Sequence, residues 1–321
     1  MAVLDWMLDS DPSIRWQALR DLVDAPTEVV AAERSRVATE GWGARLLALQ
    51  GEDGQWEGGA LFPARRSESA GAQNEGQPWT ATAYSLVMLR DLGVDPRCDR
   101  VRRAVAQVRE HCRWEHAGQP FFAGEVEPCI NGMVVALGAY FDQDVDGVVA
   151  RLVGEQLEDG GWNCEVENGS VRSSFNTTIR VLEGLLAHER ETGGSAQSIT
   201  ARRRGEAYLL ERKLFRRKST GEVVNQSWLQ FSFPTRWHYD VLRGLEYFRE
   251  AGDPPDPRVD EAIQLLRSKL QPDGTWLREN THRGKVHFTL EDGDGRPSRW
   301  NTLRALRVLR WYEQSANETR R

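Results

Sequence analysis

The chain has 321 residues, 40% of them hydrophobic, a formal net charge of -6 and a pI near 5.7. A mildly acidic balance without a basic stripe argues against nucleic-acid binding, and no apolar run reaches the roughly 20 residues that span a bilayer. Four cysteines are too few to staple a chain of this size, and the opening MAVLDWMLDS lacks the basic flank and apolar stretch of a secretory signal, so a cytoplasmic location is expected.

Residues 1–28 read as N-terminal capping helices. Residues 29–50, rich in Ala, Glu, Arg and Leu, predict a helix that stops at Gly51-Glu-Asp-Gly54. After a polar linker, helical spacing resumes from Pro78, with Ala83, Leu86, Val87 and Leu89 apolar, and closes at Gly93. The same two-helix unit recurs over 99–112 with 129–141, 145–158 with 175–188, 200–214 with 235–249, and 257–270 with 299–312. The first member of each pair is polar and the second is more apolar.

Between the members of three pairs stands Asp-Gly-x-Trp: Asp53 to Trp56, Asp159 to Trp162 and Asp273 to Trp276. An internal repeat of roughly 50 residues defines the architecture. Exposed helices alternating with buried ones close as an inner ring within an outer ring. The chain is therefore expected to be all-α, an α/α toroid of about five to six helix pairs. Residues 1–321 would form one domain, with 29–314 supplying five repeats. An open superhelical array shares the local pattern, but the stronger apolar character of the second helices favours closure. All inner N-termini would then share a face with the long loops 61–77, 166–172, 216–233 and 277–297, where function is expected.

The strings GEDGQW, LEDGGW and QPDGTW resemble the QW repeats of squalene and oxidosqualene cyclases and the related repeats of protein prenyltransferase β subunits. That resemblance implies an α-α toroid with an apolar central cavity for isoprenoid chains. The acid motif D-x-D-D of triterpene cyclases is absent. Its nearest string, Asp142-Gln-Asp144-Val-Asp146, reads as a solvated turn and N-cap cluster. In prenyltransferases, zinc is held by Asp, Cys and His near inner-helix mouths. His238, in RWHYDVLRGL, resembles the ligand histidine; an Asp-x-Cys partner is missing, while Cys129 opens the second inner helix and Cys164 follows a Trp turn.

Cys129, Cys164 and His238 converging on one rim would make a zinc site with an open fourth position. The alternative is a small buried thiol and a hydrogen-bonded helix residue. Cys112 and His116 offer a second pair, and His282 and His287 read as loop residues. Arg172 and Asn176 begin the third inner helix, Arg236 and Asp240 flank His238, and Arg299 begins the fifth; arginines at helix N-termini suit anions. Trp79, Trp237 and Trp300 also start inner helices and are candidates for a cavity mouth, whereas Trp6, Trp16 and Trp42 are expected outside the inner ring.

Three functions fit. The first is a squalene cyclase- or prenyltransferase-like enzyme acting on an isoprenoid or other largely apolar small molecule. The second is a toroid lyase on a polar, carboxylate-bearing substrate, where His238, Tyr239, Asn176 and arginines would abstract a proton beside the carboxylate; the candidate catalytic residues are His238, Asp240, Tyr239 and Arg172. The third is a non-catalytic ligand-binding scaffold. An aromatic and aliphatic cavity lining favours the first, a charged lining the second and a filled centre the third.

Overall fold

The computed structural model describes residues 3–64 and 76–318. Residues 65–75, within the loop expected over 61–77, lie outside the described residues. Among the described residues the chain is all-α, with thirteen α-helices and one short ladder pairing Trp276 with Ser298 and Leu277 with Pro297. The helices are α1 (Val3–Leu8), α2 (Pro12–Asp21), α3 (Thr27–Arg36), α4 (Gly41–Leu47), α5 (Thr82–Leu92), α6 (Asp99–His111) and α7 (Pro128–Tyr140). They continue as α8 (Asp146–Gly154), α9 (Phe175–Thr192), α10 (Ala196–Leu210), α11 (Val241–Ala251), α12 (Asp260–Ser268) and α13 (Arg299–Glu318).

The five pairs α4/α5, α6/α7, α8/α9, α10/α11 and α12/α13 follow the sequence reading. The inner members pack in succession, α5 on α7, α7 on α9, α9 on α11 and α11 on α13. Closure comes from α2. It packs on α13, where Arg307 pairs with Asp21 at 2.5 Å and donates to Gln17 Oε1 at 2.7 Å. On its other side Trp16 Nε1 donates to Leu92 O at 3.1 Å and Gln17 Nε2 to Asp91 O at 3.2 Å, at the end of α5. The N-terminal segment is therefore more than a cap, because α2 is the sixth inner helix and Trp16 belongs to the inner ring. Its sequence, PSIRWQALRD, looked too polar for that place.

Two boundaries also differ from expectation. The helix expected over 29–50 breaks into α3 and α4, with Gly41 at φ 62°, a left-handed turn that glycine adopts without strain. Helix α11 starts at Val241 because the Asp240 side chain accepts from Arg243 N at 2.7 Å and caps it. His238 consequently lies in the loop before the cap, not on the helix.

Each Trp turn ties its outer helix to the inner helix that follows. The indole N–H of Trp56, Trp162 and Trp276 donates to Leu46, Leu152 and Leu266 O at 2.8, 2.7 and 2.8 Å, on the preceding outer helix. Their backbone N–H groups donate to Thr82, Thr178 and Thr302 Oγ1 at 3.1, 3.0 and 3.0 Å, on the following inner helix. Gln50 and Gln156 add bonds to the turn glycine and to the next outer helix, at Ala104 O and Ala201 O. Fully buried, these indoles have every polar atom satisfied.

Helices α7 and α9 make the tightest crossing. A Cβ on Gly184 would stand 2.4 Å from Gly132 O, and one on Gly132 would stand 2.6 Å from Arg180 O. Only two glycines let these backbones touch, and that contact fixes where Arg180 stands on the ring wall.

Candidate functional site

A cavity of ≈ 680 Å³ occupies the ring, lined by residues of all six inner helices. Ten arginines and six Asp or Glu line it, in place of the apolar wall that the cyclase resemblance implies. It reaches the C-terminal ends of the inner helices, at Asp91, Tyr140, Glu191 and Gly252, whereas the N-terminal mouth was where function was expected. The sequence carried a signal for this lining in Arg180 with Glu183, Arg243 with Glu246 and Arg304 with Arg307, pairs that share one helix face at i,i+3. Amid apolar neighbours these charges read as exceptions; together they form the inner face.

Most of the arginines have partners. Arg243 forms a bidentate pair with Glu183, 2.7 and 2.6 Å, and also donates to His238 O at 2.6 Å. Burial alone would raise the Glu183 carboxyl, but Arg243 outweighs it and holds the group below the usual carboxylate range. Arg304 pairs with Glu246, Arg307 and Arg20 with Asp21, and Arg90 with Asp91. Arg90, Arg190 and Arg249 stand in the last turns of α5, α9 and α11, where the carbonyl ends favour cations.

Arg180 has neither kind of support. It is 4% exposed, stands in the second turn of α9, and donates to no described residue. Burial, then the Arg243 guanidinium, depress its proton affinity, with Glu183 opposing. Arg236, at φ 57°, also has no carboxylate partner among the described residues and lies over the Trp79 ring at 5.3 Å. Burial pushes its pKa down to about 10. Trp300 stacks on Phe233 at 4.3 Å, and its indole N–H, in the same wall, has no acceptor.

Toward the mouth lies a smaller cavity of ≈ 280 Å³, walled by Trp79, Tyr84, Met88, Phe233 and Phe288 and covered by residues 281–291. Phe233 and Arg236 border both cavities. Trp79 donates to Arg283 O at 2.9 Å and packs edge-on against Tyr84. Burial pushes the Tyr84 hydroxyl up to about 12, against the pull of Arg180 and of its bond from Gln77. Over this pocket the rings of Trp237, His238 and His282 form a stack with 3.8 Å between successive centroids. Burial, then Arg243 and Arg180, lower the His238 pKa to about 4; burial, His238 and Arg236 lower that of His282 to about 3.

Cys129 and Cys164 meet at the start of α7. Their sulfurs and a carboxylate oxygen of Glu127 lie within 4.8 Å of one another. His238 is not in that group, since its ring is taken up in the aromatic stack. The Cys129 thiol donates to Glu127 Oε2 at 3.3 Å. Its bond to Cys164, then burial, raise the Cys129 pKa, and the same bond lowers that of Cys164. Glu127 carried a signal that went unread: it stands two residues before Cys129, just outside the helix that Pro128 opens.

The remaining candidates scatter. Tyr239 is buried in an aromatic cluster and donates to Leu214 O at 2.7 Å. Asp240 is engaged as the α11 cap and by Ser232 N and Oγ, both at 3.2 Å, and burial raises its pKa. Arg172 is exposed, away from both cavities. Asn176 accepts from Tyr239 N at 2.8 Å and braces the loop carrying His238. Arg299 donates to Trp6 O at 3.0 Å and lines a separate cavity of ≈ 660 Å³ with Trp6 and Trp42. Cys112 is fully buried, its thiol pushed up to about 12 by burial. Asp144 accepts from Asp146 N at 3.1 Å in an exposed turn, while Asp146 accepts from His188 at 2.8 Å.

No family model and no curated protein matches the sequence. Among solved structures, the chain is similar to variants of the type II terpene cyclase MstE from Scytonema. One, in complex with geranylgeranyl dihydroxybenzoate as substrate, matches at 14% identity and a TM-score of 0.43, over 95% of this chain and 87% of that one. A second variant with the same substrate gives 14% and 0.40 over 96% and 87%. An apo variant gives 15% and 0.37 over 89% and 96%.

Proposed function

We propose that the protein is an enzyme of terpenoid cyclase-like build that acts on a small amphiphilic anion, an apolar body of the isoprenoid kind joined to a phosphate- or carboxylate-type group. The isoprenoid class rests on the repeat resemblance. The anionic group rests on Arg180. Arg180 is 4% exposed, its guanidinium hydrogen-bonds to no described residue and faces the charged cavity, and burial disfavours its charge at a cost in free energy. An oxyanion offset by that guanidinium recovers this energy through charge-assisted, bidentate hydrogen bonds. Arg236 and the Trp300 N–H supply further donors. The apolar body has the aromatic pocket of Trp79, Tyr84, Met88 and Phe233, which adjoins the charged cavity at Phe233 and Arg236, so one molecule can occupy both.

A polar carboxylate substrate cleaved by elimination is the second reading, favoured by the charged lining. Calorimetric titration with inorganic pyrophosphate, a prenyl diphosphate, the matching prenyl alcohol and a uronate oligomer separates the two. The prenyl diphosphate is expected to bind more tightly than pyrophosphate or the alcohol. Arg180→Leu is expected to weaken it at least about 30-fold, the lower end for removing one partner of a buried charge pair. Preference for the uronate selects the second reading; unchanged affinity in Arg180→Leu overturns the proposal.

A further inference from the structure

We infer that Glu127, Cys129 and Cys164 form a site for a thiophilic divalent metal ion, with zinc as its physiological class of occupant. The three donor atoms already lie within 4.8 Å of one another, and the 3.3 Å from Cys129 Sγ to Glu127 Oε2 is close to the edge of a tetrahedron built on bonds of about 2.3 Å to sulfur and about 2.0–2.2 Å to oxygen. Two sulfurs and one carboxylate suit zinc, cobalt(II) or cadmium and discriminate against magnesium and calcium, which require oxygen donors. Three protein donors leave one tetrahedral position for water or a ligand atom.

The loops that carry the donors are fixed from behind. Asn131 accepts from Glu125 N at 2.8 Å and donates to Glu125 O at 2.7 Å, clamping the strand of chain that leads to Glu127. Glu125 itself accepts from Glu127 N at 3.0 Å. On the other side Asn163 accepts from Glu165 N at 3.0 Å and donates to Arg172 O at 2.7 Å, closing the turn that holds Cys164. Donors held by such outer hydrogen bonds need little rearrangement to close on an ion. Zinc takes cysteine as the thiolate, so binding releases protons and affinity rises with pH.

The zinc that the prenyltransferase resemblance implied drew on His238; this ligand set replaces the imidazole with Glu127 and uses only the start of α7 and the turn after Trp162. It stands apart from the anionic-substrate proposal, and the two fail separately, because this site is read by metal content and the other by affinity for a prenyl diphosphate.

Reduced protein is titrated with cobalt(II), then with zinc, and the metal content is measured after dialysis. One ion per chain is expected, with a thiolate-to-cobalt charge-transfer band that zinc displaces and magnesium does not. Cys164→Ser is expected to abolish the band, Glu127→Gln to weaken binding roughly 10-fold or more, and Cys98→Ser to leave it unchanged. Should Cys164→Ser fail to fold, alkylation followed by mass spectrometry decides, since zinc must protect Cys129 and Cys164 while Cys98 stays reactive. Absence of the band, its survival in Cys164→Ser, or a Cys129–Cys164 disulfide forming in air in protein that binds no cobalt when reduced would each overturn the site.

Discussion

The frame of the ring and its inner wall treat polar groups in opposite ways. At the three Trp turns each buried indole N–H and backbone N–H has a partner, and the bonds repeat with nearly the same geometry. On the wall, Arg243 is engaged by Glu183 and two carbonyls, while Arg180, one helix away, has no acceptor among the described residues. Saturation accounts for architecture. A buried donor left without an acceptor, on a wall that faces a cavity, points to something that the chain itself does not supply.

The largest expected effect breaks the frame. Trp162→Ala should cost about 3–5 kcal/mol of stability, read as a shift in the urea midpoint. Trp162→Phe keeps most of the apolar volume and isolates the bond to Leu152 O, at about 1–3 kcal/mol. If the Phe variant melts like the parent, the frame is held by packing alone and its hydrogen bonds are incidental.

Arg243→Leu and Arg180→Leu compare the two kinds of wall arginine directly. The first leaves the half-buried Glu183 without its bidentate partner and should destabilise by up to about 3 kcal/mol. The second removes an uncompensated charge and should be neutral or stabilising by roughly 1 kcal/mol. Thermal denaturation in the absence of ligand gives both numbers, and equal losses in the two variants would mean that Arg180 is structural.

Gly132→Ala tests the crossing that positions the wall. Its Cβ would meet Arg180 O at 2.6 Å, a backbone atom that cannot rotate away. Overpacking there should cost about 1–3 kcal/mol and weaken anion binding, because α9 must shift.

These contrasts also mark what the sequence made legible. The helix pairs were readable because apolar spacing and Asp-Gly turns are local signals, and the Trp turns because they recur. Helix α2 was not, since Gln17 and Ser13 are buried through bonds to distant carbonyls or by packing that no local pattern encodes. The start of α11 was missed because Asp240 was weighed as a catalytic acid and not as a cap. Cys129 and Cys164 were singled out from their places at helix and turn starts, but their third neighbour depended on loop conformation, which left His238 against His282 and brought Glu127 to the sulfurs. Arg180 stood in plain view between Ile179 and Val181; its lack of a partner is a property of the folded ring alone.

The smallest effect concerns the ring stack over the mouth. His238 and His282, at about 4 and about 3, lie below the ordinary histidine value of about 6.5. Arg236, Arg243, Arg180 and Arg278 face them and oppose a further positive charge. Both rings are therefore neutral in the folded protein at pH 6, while the unfolded chain already binds protons there. By linkage, stability falls as pH drops from about 6.5 toward about 4, and these rings contribute no slope above that window. Replacing His282 by Gln keeps a side chain able to bond Ser232 and removes one titrating group, so the decline in melting temperature across the window should become shallower. An unchanged slope would mean that the stack is solvated enough to protonate without cost, and the mouth pocket beneath it would then be open to water.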